Sequence, residues 1–189
     1  MTNSYLDTKL PDIKQFLDQQ GYQTEIQEPM EFNPIEQLLV RMGKDMDNQE
    51  LILRVFLLPE TTERAPLKVS QDQEGEPRFL QFFILFPFLA IESTTPDLTK
   101  LLFHINSAFD MAQFGMYDNH MVYYRYVHIC AEGKVAEQAI KAILVSLEFL
   151  IDALLPSIMD IALARKTLHE VQEEAKKAIQ ETGMDAFSS

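Results

Sequence analysis

The chain has 189 residues, 47% of them hydrophobic, and sets 16 Lys plus Arg against 29 Asp plus Glu for a formal net charge of -13. A domain of this size buries roughly 70% of its unfolded surface, so one domain over residues 1–189 is expected, and the negative excess repels phosphate backbones and argues against a nucleic-acid partner. Cys130 is the single cysteine, which excludes an internal disulfide, and the first dozen residues lack an apolar run behind a basic start, so the expected compartment is the cytoplasm.

Leu6, Leu10, Ile13, Phe16 and Leu17 share one helical face ahead of Gly21, which predicts a short leading helix. Residues 22–28 alternate apolar and polar and predict a strand with one wet face. After Pro29 and Pro34, residues 38–42 and 51–58 predict two more strands around a turn at 43–48. The second of these is apolar on both faces apart from Arg54. Between 59 and 77 the composition turns to Glu, Thr, Gln, Asp and Gly, with Leu67 and Val69 as apolar anchors, which predicts a long exposed loop. Residues 79–86 then give a fourth strand whose two faces are both apolar and both need cover.

Thr95-Pro96-Asp97 carries the signals of a helix start: a hydroxyl cap, a first-turn proline and an acid at the positive end of the dipole. Leu98, Leu101, Leu102, Ile105, Ala108 and Phe109 follow at helical spacing. Two strands, 111–117 and 121–130, flank Asp118-Asn119, which predicts a hairpin. In its second strand Val122, Tyr124, Tyr126 and His128 alternate with Tyr123, Arg125, Val127 and Ile129, and the pattern leaves open which set turns inward. The long apolar segment 135–164 predicts a helix with Glu137, Lys141, Glu148 and Asp152 on one narrow wet stripe and cover on more than one side. Three acids and Pro156 inside it oppose a membrane span. From about 165 to 189 a polar helical tail is expected, with Leu168, Val171, Ala175 and Ala178 as a narrow seam and Glu173 placed to pair with Lys177.

The chain carries no glycine-rich phosphate loop. Its histidines, His104, His120, His128 and His169, fall on four separate predicted elements with no ligand spacing. His128 and Cys130 share a strand face without an orienting third group, and Glu148 with Asp152 belongs to the wet stripe of the long helix. No catalytic, cofactor-binding or metal-ligating set is therefore assigned. The residues that stand out are Arg54 and Arg125, each interrupting an apolar or aromatic strand, and the aromatic and thioether groups around the hairpin. The candidate partner-binding residues are Arg54, Tyr124, Arg125, Tyr126, Met116 and Met121, suited to a partner's carbonyls, carboxylates and apolar side chains.

The predicted order of helix, four strands, helix, hairpin and long helix gives an α+β fold: an antiparallel sheet of about six strands packed against helices. With Leu102-Phe103-His104-Ile105-Asn106, then Phe109, Phe114 and Asp118, the strand Val122-Tyr123-Tyr124-Arg125 and the helix at Phe149-Leu150-Ile151-Asp152, this order resembles the type III secretion chaperone-like fold and, within it, the YbjN-like bacterial proteins and their cyanobacterial relatives. The resemblance implies a non-enzymatic, commonly dimeric module that binds a protein or peptide client. The alternatives are a structural or regulatory homo-oligomer, and a small-ligand sensor or enzyme whose pocket would gather Arg54, Arg125 and His128.

Overall fold

A strand whose two faces are both largely apolar is poorly suited to a wet edge, and 78–89 takes an interior place in a six-stranded sheet. The computed structural model describes residues 4–58, 78–111 and 113–181. The chain runs β1 (Tyr5–Asp7), α1 (Leu10–Gln19), β2 (Thr24–Gln27), β3 (Gln37–Lys44), β4 (Glu50–Leu57), β5 (Arg78–Leu89), α2 (Thr95–Ala108), β6 (Phe114–Met116), β7 (Met121–Cys130), β8 (Lys134–Ala136), α3 (Glu137–Ala162) and α4 (Leu168–Glu181). The main sheet has the order β2-β3-β4-β5-β7-β6, antiparallel throughout. The α+β class and the sheet expected from the sequence are those observed, while the loop expected at 59–77 lies outside the described residues.

One face of the sheet carries the core. Leu38, Val40, Leu51, Leu53, Val55, Leu80, Phe82, Ile84, Phe86, Val122 and Tyr124 are buried there together with Ile13 and Leu17 of α1, Leu98 and Leu102 of α2, eleven apolar residues of α3 and Val171 of α4. All four helices thus contribute to one cluster. Phe86, Phe114 and Tyr124 form its aromatic end, with Phe114 edge-on to Tyr124 at a centroid distance of 5.3 Å, and the Tyr124 hydroxyl donates to the Met111 carbonyl at 3.0 Å.

Several local features depart from expectation, each for a definable reason. Leu6 lies in β1, which pairs with β8, because a three-residue strand is too short to carry a period of its own. The first helix starts only at Leu10 and ends in a Schellman motif, with Tyr22 N–H donating to Leu17 and Gly21 N–H to Asp18 while Gly21 takes φ of 93°. β5 runs through Pro87 to Leu89 instead of stopping at 86. The register with β7 shifts between Leu85 and Leu89, and the exposed Pro87 sits in that irregularity, where its missing donor removes no ladder bond. In the hairpin the positive φ falls on His120, not on Asp118-Asn119.

Thr95 is the first residue of α2 rather than its cap. Thr94 instead donates its hydroxyl to the carbonyls of Ile91 and Ala162, and Ile91 N–H also bonds Ala162, so this connection closes the C-terminal end of α3. Helix α3 continues through Pro156, whose lost bond would fall on the carbonyl of Asp152, an exposed residue open to water. Beyond it α4 does not trail away from the globule. Thr167 and Glu170 form a reciprocal capping box, Val171 is buried, and Glu173 pairs with Lys176 rather than Lys177.

Candidate functional site

Alternation along the strands forces every second residue of the sheet onto the face opposite the core. Leu39, Ile52, Phe56, Phe79, Phe83, Leu85, Tyr123 and Val127 occupy that second face and stand apart from the main core cluster, although Phe56, like Gln81 beside it, is only 9% exposed. Among the described residues no helix contributes to it either. Among the described residues it is an apolar sheet face with no helix over it, a departure from ordinary layering.

The strand registers bring its charged and aromatic groups into rows. Leu39 stands opposite Arg54, Arg54 opposite Phe83 and Phe83 opposite Arg125, so one aromatic residue stands in register between two arginines. Two strand spacings separate the arginine backbones by about 10 Å. The Phe83 ring stacks on Tyr123 at 5.9 Å with an interplanar angle of 29°, and Tyr123 meets Tyr117 at 4.6 Å. Gly115 lies directly beneath Tyr123, where any Cβ would fall 2.4 Å from the ring. Phe56, Gln81 and Val127 form the next row, and Ile129 ends the face at 63% exposure.

Arg54 is half-buried and donates to the Gln37 amide oxygen at 3.2 Å. Arg125 is exposed. Among the described residues neither has a carboxylate at ion-pair distance, whereas Arg41 at the far end of the same face is paired with Glu50.

The six candidate partner-binding residues divide between the two faces. Arg54, Arg125 and Met121 lie on the second face. Tyr124, Tyr126 and Met116 lie on the first, Tyr124 fully buried and the other two packed against the core. Burial holds the Tyr124 phenol well above its usual range, with a smaller contribution from Tyr126. Tyr124 is therefore a core residue with no surface to offer, a consequence of its position one residue from Tyr123 and Arg125. Phe83 and Tyr123, which the sequence reading did not single out, form the centre of the second face. The available signal was alternation within each strand, which puts Tyr123 on the face of Arg125 and Phe83 on the face of Phe79 and Leu85 without showing that the two faces coincide.

The other chemical candidates do not converge. His128 stands on the first face, away from Arg54 and Arg125, and burial pushes its imidazole below the ordinary value. Cys130 is 1% exposed, and burial raises its thiol against a smaller opposing effect of the Leu80 backbone, which leaves it protonated and unreactive. Glu148 accepts the Tyr22 hydroxyl at 2.9 Å; burial, then this bond, pushes the Tyr22 phenol up to about 12. The wet stripe of α3 also includes two exposed apolar residues, Val145 and Phe149. Among the described residues no group of three His, Cys, Asp or Glu is placed to hold a metal. By length and composition α3 is the one described helix apolar enough to cross a membrane, and twelve of its residues are buried in this fold.

Compared with protein-family models and with curated proteins, the chain matches none.

Proposed function

We propose that this chain is a non-enzymatic, chaperone-like module of the cytoplasm that holds a protein or peptide client on the second face of its sheet, in the manner of the type III secretion chaperone-like and YbjN-like proteins its element order resembles. The observation that carries this reading is the apolar and aromatic face centred on Phe83 and Tyr123, outside the folding core. Burying such a face against a partner contributes about 25 cal/mol per Å² of apolar surface removed from water. The test is a pull-down from native lysate with wild type and Phe83→Lys at several salt concentrations. A specific protein recovered by wild type and lost in the variant supports the reading, and recovery of no specific protein at any salt contradicts it.

Self-association is the second reading, and one observation favours it. β6 covers only Val122, Tyr123 and Tyr124 of β7, with one further bond from Arg125 to Gln113, so residues 126–130 have β5 on one side and no strand among the described residues on the other. An open edge of this kind pairs readily with a second copy. Light scattering at micromolar concentration reads the outcome, with a dimer expected and a strict monomer contradicting it.

A further inference from the structure

The docking face carries a charge pattern that constrains what can lie on it. In a chain with 29 acidic residues, the centre of this face is positive: Arg54 and Arg125 flank Phe83 in register, and neither meets a carboxylate among the described residues. The Arg54 guanidinium, half-buried, has one neutral partner at 3.2 Å, although a guanidinium presents five donors suited to bidentate contact with a carboxylate. A neutral or basic segment laid over Phe83 would remove water from these donors and give nothing comparable in return. A segment with carboxylates on both sides of an apolar side chain would satisfy all three residues together.

We infer that the client segment is acidic, with two carboxylate groups on the order of 10 Å apart and an apolar or aromatic side chain between them, the carboxylates taken by Arg54 and Arg125 and the apolar group by Phe83. This rests on the docking reading above and adds the chemistry of the partner. It runs against what the net charge of -13 suggests, because a basic partner is favoured by the whole-molecule field, whereas beyond a screening length of about 8 Å in physiological salt that field is largely lost. At contact the two nearest cations decide.

The test is a random 16-residue peptide library displayed on phage, selected against the immobilised full-length chain and against an Arg54→Gln/Arg125→Gln variant whose circular dichroism matches wild type. Wild type is expected to enrich peptides with Asp or Glu on both sides of a Phe, Tyr or Leu, and the variant to lose the acidic bias while still enriching apolar peptides. The affinity of a wild-type-selected peptide, read by fluorescence anisotropy, should fall at least about 10-fold in the double variant, since hydrogen bonds to charged groups are lost. Enrichment on wild type without acidic residues, or equal affinity in both proteins, overturns the inference and leaves the docking reading standing. No enrichment on wild type, or peptides that bind Phe83→Lys as tightly as wild type, overturns both.

Discussion

Phe82 and Phe83 are neighbours in β5 with opposite roles, and truncating each in turn separates the core from the docking face. Phe82 has no exposed surface, stands in register between Val55 and Tyr126 and lies 6.3 Å from the Tyr126 ring. Phe82→Ala removes a buried ring and leaves a cavity, at a cost of about 3–5 kcal/mol. Phe83 lies outside the core cluster, and its main packing partner is the Tyr123 ring at 5.9 Å. Losing an aromatic pair costs about 0.5–1.5 kcal/mol beyond the surface it buries, and the half-buried Phe83 side chain adds about 1 kcal/mol of lost burial. Urea unfolding gives the comparison, followed by far-ultraviolet circular dichroism and by fluorescence of the six tyrosines, since the chain has no tryptophan. With a slope of about 2 kcal/mol per molar urea, the midpoint should drop by about 2 M for Phe82→Ala and by about 1 M for Phe83→Ala. Equal drops at unchanged slope would refute the division into a folding face and a binding face.

Three further outcomes follow from the same geometry. Gly115→Ala should displace the Tyr123 ring, because the new Cβ would fall against its outer end; the ring can shift on this face, so only the loss of its ring packing, about 0.5–1.5 kcal/mol, is expected, with loss of near-ultraviolet tyrosine ellipticity, and an unchanged spectrum would contradict the stacking. Thr167→Ala removes the capping box and should cost about 1 kcal/mol, with hydrogen exchange accelerated in α4 first and not in α2. The Tyr22 phenol is raised from 10.0 to about 12 in the folded state, so the unfolded chain releases this proton first and stability falls with rising pH. The stabilisation is complete below pH 10 and is lost as pH climbs toward about 12, and Tyr22→Phe should flatten this part of the urea-midpoint profile.

Much of this architecture is legible in the sequence because burial imposes a period. The six sheet strands, the two long helices and the placement of Arg54 opposite Leu53 and Val55 follow from alternation and from helical spacing. The β1–β8 ribbon is not legible, since Tyr5–Asp7 and Lys134–Ala136 are held by a long-range pairing that three residues cannot announce. The folded-back α4 is missed for a different reason. Its buried surface rests on Val171, with Leu168 half-buried beside it, too little to distinguish a docked helix from an exposed one by pattern, although Thr167-Leu168-His169-Glu170 does spell its cap. At the site, the two arginines are readable as interruptions of apolar strands. Their shared row with Phe83 is not, because register between β4, β5 and β7 is set in three dimensions.

The most direct test of the docking face is site-specific photocrosslinking in the native cell. A benzophenone side chain at position 83 is compared with one at position 149, where exposed Phe149 marks the helical side of the molecule. A discrete protein adduct is expected from position 83, weakened by Arg54→Gln/Arg125→Gln, and none of that mass from position 149. An adduct from position 149 alone would assign partner binding to the helices and contradict the docking reading.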